Sequence, residues 1–272
     1  MNLSMTVGRP VAGTRRGQPT ARGTFSGSFH YEFRMQARRP AVWGLVLGAG
    51  LLLAAVYLVP SPGDPASVIV AERTQVFNLF LPVTYAILLA DRWPRERRLN
   101  TRELLDSFPL DSGAWLWGKY LGAVLAVALP ALVVELLEMG FIALTRGDWS
   151  LIPLALPAFA LIVGPTLLFV GAFSVVCAEL MPIPLYTVLF VGYWFWANLV
   201  SPARLPTLNC TLLTPSGLFA RVGLLGGGLP PACSGLAITA GPAWVNIALM
   251  IGVAILVLVA AQTIASWRAA RR

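Results

Sequence analysis

The chain of 272 residues is poor in the side chains that most often do chemistry. Lysine occurs once, at Lys119, histidine once, at His30, and cysteine three times, at Cys177, Cys210 and Cys233. That inventory cannot build a His-rich zinc site, and neither an H-E-x-x-H nor a C-x-x-C pair occurs, so no metal is expected. Charge is scarce as well. Only 12% of the residues are charged while 57% are apolar, which excludes an ordinary water-soluble domain. Acidic residues are the scarcer sign, 12 against 20 basic ones, giving a net charge of +8. In a chain this apolar, basic residues report membrane topology before nucleic acid, and no nucleic-acid partner is expected.

What the chain has in quantity is apolar runs of membrane length. A helix needs about 20 such residues to cross a hydrocarbon core of roughly 30 Å. Runs at 40–63, 74–90, 149–178 and 180–203, and one closing at Trp267, meet or approach that length, and 120–145 is interrupted only by Glu135 and Glu138. The pattern predicts an all-α integral membrane protein with six transmembrane helices. Sixteen Arg and Lys residues fall before the first span, between the second and third, and after the sixth; the other side holds Arg73, Arg146, Arg204 and Arg221. By the positive-inside rule both termini are cytoplasmic, in a multi-pass protein of the plasma (inner) membrane. Trp43, Trp93, Trp115, Trp117 and Trp267 at inner span ends, with Trp149 and Trp244 at outer ones, read as aromatic belts.

The sequence divides into a disordered basic cytoplasmic tail, 1–28, and a single domain, 29–272, with no cleavable leader expected. Phe29 and Phe33, with Arg34, Arg38 and Arg39 on other faces and Pro40 as a stop, predict a short interfacial helix lying flat on the inner leaflet. The outer segment 201–241 is rich in Pro and Gly and too apolar for a solvated loop. Its 212–225 stretch reads as an interfacial or re-entrant helix pair broken by Gly226, Gly227 and Gly228, or else as a packed loop.

The inner loop between the second and third spans is short, charged and amphipathic. Leu99, Leu104 and Leu105 share one side of a predicted helix at 95–107, and Pro109 stops it. The order Glu96-Arg97, Thr101, Glu103-Leu104-Leu105, Pro109 and Gly118-Lys119 at a helix start resembles permease subunits of ABC-2 type exporters. The amphipathic segment ending in Arg-Arg-Pro, the six crossings and the broken outer segment are similar to that family too. The resemblance implies that Arg97, Thr101, Glu103, Leu104 and Leu105 form a coupling helix docking on a separate ABC ATPase subunit. It also implies a second permease, a copy or a paralogue, and ATP and Mg²⁺ on the ATPase, with no cofactor in this chain. Phe108 and the Asp111-Ser112 pair depart from the family pattern.

Gly113 to Lys119 spells G-x-x-x-x-G-K, but Trp115 and Trp117 fill the run and Tyr120 replaces the Ser or Thr that would hold Mg²⁺, so no ATP site is expected here. Glu135 and Glu138 share a face of the third span and are candidates for a pathway or gating role, unless they reach outer water. Gly44 and Gly48 form a G-x-x-x-G pair suited to dimerisation or to packing within the protomer. Cys210 and Cys233 fall on the outer side, as a candidate disulfide or as free thiols, and Asn209-Cys210-Thr211 is a glycosylation-type sequon. Two other classes share many of these features. One is a non-transporting membrane scaffold or accessory subunit; the other is an integral-membrane lipid enzyme, which would need an acid–base cluster that the spans lack.

Overall fold

The computed structural model describes residues 20–56, 63–90 and 111–271. The expected coupling helix at 95–107, with Arg97, Thr101, Glu103, Leu104 and Leu105, lies outside the described residues.

Helix α1, Ala21–Ala37, opens on Thr20, whose hydroxyl accepts from the Gly23 amide at 3.2 Å. Residues 21–28 therefore belong to a helix and not to the tail, and Phe25, Phe29 and Phe33 stack along it at 6.2 Å spacing. Helix α2, Pro40–Val56, begins on its proline, and the Trp43 indole donates to the Ala37 carbonyl at 2.8 Å across the joint. Helix α3, Ala66–Ala90, starts eight residues before the apolar run at 74 and so carries Glu72 and Arg73 within it.

Helix α4, Ser112–Arg146, is capped by Asp111, which accepts from the Ala114 amide at 3.0 Å, and ends at Gly147 in the left-handed region (φ 72°). The run 113–119 is thus helical throughout. In the turn that follows, the Ser150 hydroxyl and amide bond Asp148 and hold its carboxyl below the usual range. Helix α5, Leu151–Ala158, passes through a π-turn, Phe159–Val163, into α6, Gly164–Leu180. Pro165 favours the irregularity, because it has no amide for the Leu161 carbonyl and its ring crowds that carbonyl, but Pro82 and Pro130 lie inside α3 and α4 without such a turn, so a proline by itself does not require one. Helix α7 is Ile183–Leu199, α8 is Leu218–Leu225, Pro231–Cys233 is a single 3₁₀ turn, and α9 is Ala240–Ala270. The expected helix pair at 212–225 is therefore one two-turn helix preceded by turns, with Gly217 and Gly226 at positive φ bounding it.

Among the described residues three helical stretches are long and apolar enough to cross a membrane: Ser112–Arg146, Leu151–Ala178 and Ala240–Ile264. Helices α2 and α7 are apolar but have 17 residues each, about 26 Å at 1.5 Å per residue. Helix α3 is long but carries two charges, which it tolerates because it runs through the middle of the bundle with Phe77, Leu81, Tyr85 and Leu89 in the core.

Contacts set the course of the chain. The Arg146 guanidinium donates to the Asp64 carbonyl at 3.2 Å, placing the end of α4 beside the start of α3. A Cβ on Gly113 would lie 2.5 Å from the Gln262 amide, so the start of α4 and the end of α9 share the opposite end. Helix α1 packs against α4 in the same direction. Cβ atoms on Gly118 and Gly122 would lie 2.5 and 2.6 Å from the carbonyls of Phe25 and Phe29, and only glycine leaves this groove open. The face α1 buries there holds Thr24, Glu32 and Gln36, while its phenylalanines are half-buried. Among the described residues a Cβ on Gly44 or Gly48 of α2 would touch nothing.

Candidate functional site

Buried polar side chains form a seam in the half of the bundle away from α1. On α3, Thr74 and Asn78 are one turn apart and both fully buried. The Thr74 hydroxyl donates to Oε1 of Glu135 on α4, while Oε2 has no hydrogen-bond partner among the described residues. Glu135 is 0% exposed, so it does not reach water as its depth in the sequence allowed. One turn on, Glu138 is turned to Arg73 at 3.8 Å. Both carboxylates thus face α3, and Arg73, counted in the sequence as an outer-side residue, sits inside a helix beside one of them.

The second part of the seam holds the segment between α7 and α9 against the bundle. The Asn78 amide donates to the Thr166 hydroxyl and to the Ser216 carbonyl, each at 3.0 Å. Thr166 in turn lies 3.0 Å from the Ile162 carbonyl in the π-turn and 2.8 Å from the Pro215 carbonyl. The Asn246 amide of α9 donates to the carbonyls of Leu212 and Thr214 at 2.7 and 3.0 Å. The Thr214 hydroxyl donates to Asn198 of α7 at 3.2 Å. Four helices therefore hold residues 212–216 as an inserted cap, and its irregular backbone is tolerated because protein side chains satisfy its carbonyls.

Two further ties close the cap. Cys210 and Cys233 are joined by a disulfide, with Cα atoms 5.5 Å apart. Arg221 of α8 donates to the Gly228 carbonyl, and a Cβ on Gly227 would collide with its side chain at 2.6 Å. Burial lowers the Arg221 pKa from its ordinary value, and the Glu72 carboxylate opposes that. Among the described residues no three His, Cys, Asp or Glu side chains are grouped to hold a metal. Lys119, which completes the phosphate-loop spelling, is buried in α4 with its ammonium 4.8 Å from the Trp115 ring centre. The run is a helix packed on another helix and not a loop open to phosphate.

Sequence reasoning missed Asn78, Thr166, Asn198 and Asn246. An amide inside an apolar run is the signal that could have found the three asparagines, because such a group needs a partner in the membrane. Thr166 gives no such signal, since a threonine can satisfy itself on its own helix.

No family model matches the sequence. Over 217 residues, 68% of this chain and 76% of the relative, the chain is 28% identical to the probable ABC transporter permease protein NosY of Pseudomonas aeruginosa. In sequence the chain is thus similar to a permease of an ABC transporter.

Proposed function

We propose that this chain is the membrane permease subunit of an ABC-2 type exporter, driven by ATP hydrolysis on a separate subunit. The observation that carries the reading is the similarity to an ABC transporter permease along two thirds of the chain. It is supported by apolar helices of membrane length and by a charged loop with the family's residue order. On this reading six helices cross the plasma (inner) membrane with both termini cytoplasmic, and the 201–241 segment with its cap faces outward. Two permeases, identical or paralogous, form the pathway between them. The ATPase docks on the 95–107 helix through Arg97, Thr101, Glu103, Leu104 and Leu105, and its closure on ATP and Mg²⁺ drives the permeases from inward-open to outward-open. Glu135 and Glu138 hold α3 to α4 within the protomer, because both are turned to α3.

The test is to purify the tagged chain from its native membrane in mild detergent and identify the proteins that accompany it, beside a Glu103→Lys variant. Recovery of a protein with a complete G-x-x-x-x-G-K-[ST] loop, lost from the variant while the chain still inserts, is the expected result. Absence of any ATPase from both preparations would overturn the proposal.

A further inference from the structure

The π-turn and the cap meet at one hydroxyl. Thr166 has a single proton to donate, yet two carbonyls lie within reach of its oxygen: Ile162, inside the π-turn, and Pro215, in the cap. Asn78 completes the junction by donating to Thr166 and to Ser216 together. Shape ties the same two segments. Gly217 has φ 77°, and a Cβ there would lie 2.5 Å from Ile162 Cγ2. Asn78, Ile162, Thr166 and Ser216 are all at most 3% exposed.

We propose that the π-turn is the socket for the 215–217 turn, and that seating of the cap and the register of the α5–α6 helix form one two-state switch. With the cap seated, the Thr166 proton is given to Pro215 and the widened turn leaves room for the glycine. With the cap lifted, the proton falls back on Ile162 and the extra residue of the π-turn leaves this position. Loss of one residue from a helical turn rotates the part on one side by about 100° and draws it in by about 1.5 Å. Helix α5 then turns relative to α6, so release of a short surface segment becomes rotation of a helix that crosses the membrane. The switch is bistable because hydrogen bonding of the Thr166 proton and the residue count of the turn both change in whole steps.

Hydrogen exchange measured by mass spectrometry on the full chain in lipid nanodiscs tests this without any transport assay, so its failure is distinct from failure of the permease reading. Two variants disturb the junction from opposite sides. Thr166→Val removes the shared proton, and Gly217→Ala pushes on Ile162 from the cap. Each is expected to speed exchange at least tenfold in both 159–163 and 215–225, leaving α4 as in the parent chain. Thr166→Ser keeps the hydroxyl and is expected to exchange like the parent, as is Thr187→Val, whose hydroxyl bonds the Ile183 carbonyl of its own helix. Faster exchange in the cap with no change at 159–163 in Gly217→Ala would overturn the proposal, and that variant decides if Thr166→Val does not fold.

Discussion

Thr74 on α3 donates its hydroxyl to Glu135 on α4, 61 positions away and fully buried. The bond joins two helices at a point where a lone carboxylate would be costly. Removing the donor should cost more than neutralising the acceptor, because a buried acceptor left unpaired loses about 1–3 kcal/mol while an amide in its place can still be bonded. Thr74→Val is expected to lower the apparent melting temperature in detergent clearly, and Glu135→Gln to lower it less. Equal losses would show that the pair contributes no specific bond.

The α1–α4 groove makes a second expectation. Alanine at Gly118 or Gly122 places a methyl against the Phe25 or Phe29 carbonyl, and overpacking of this kind costs about 1–3 kcal/mol. Helix α1 should loosen, and trypsin should cleave at the exposed Arg22 and Arg34 faster than in the parent chain. Gly44→Ala, at a site where a Cβ meets nothing among the described residues, is the control and should leave cleavage unchanged.

For the cap, Asn246→Leu leaves the buried carbonyl of Thr214 and the part-buried one of Leu212 without their donor. A loss of about 1–3 kcal/mol in stability is expected by unfolding in denaturant, from the cost of unsatisfied buried groups. A loss below a few tenths would mean that the cap does not depend on α9.

The disulfide between Cys210 and Cys233 closes a loop spanning a sequence separation of 23, which chain-entropy estimates value at roughly 3 kcal/mol. Mass spectrometry after maleimide treatment of the denatured, unreduced chain should find one thiol modified, Cys177, and three after reduction. The double Cys→Ser variant should melt lower than the parent.

The seam and the groove differ in how far they could be read in advance. Thr20, Asp111 and Gly147 mark helix ends by local chemistry, and of these only Gly147 lies within a few residues of where an apolar run stops. The sequence starts α1 at Phe29 because 1–28 is basic and reads as a disordered tail, whereas Thr20 caps a helix that begins eight residues earlier, at Ala21. The structure buries Thr24, Glu32 and Gln36 of this helix against α4, since Gly118 and Gly122 accept backbone and leave no space for rings. Glu135 was recognisable as anomalous, but its partner was not, because nothing near it in sequence could reach it.

By itself the sequence determined that the chain is helical and built for a membrane, because apolar length and the asymmetry of arginine act through local composition alone. Only the tertiary structure decided which polar groups meet: Thr74 with Glu135, Arg73 with Glu138, and Asn78 and Thr166 with the cap. A hydrogen bond between residues separated by tens of positions depends on how helices align. That alignment is set by glycine grooves, proline-induced turns and packed side chains acting together, and no single stretch of sequence contains it.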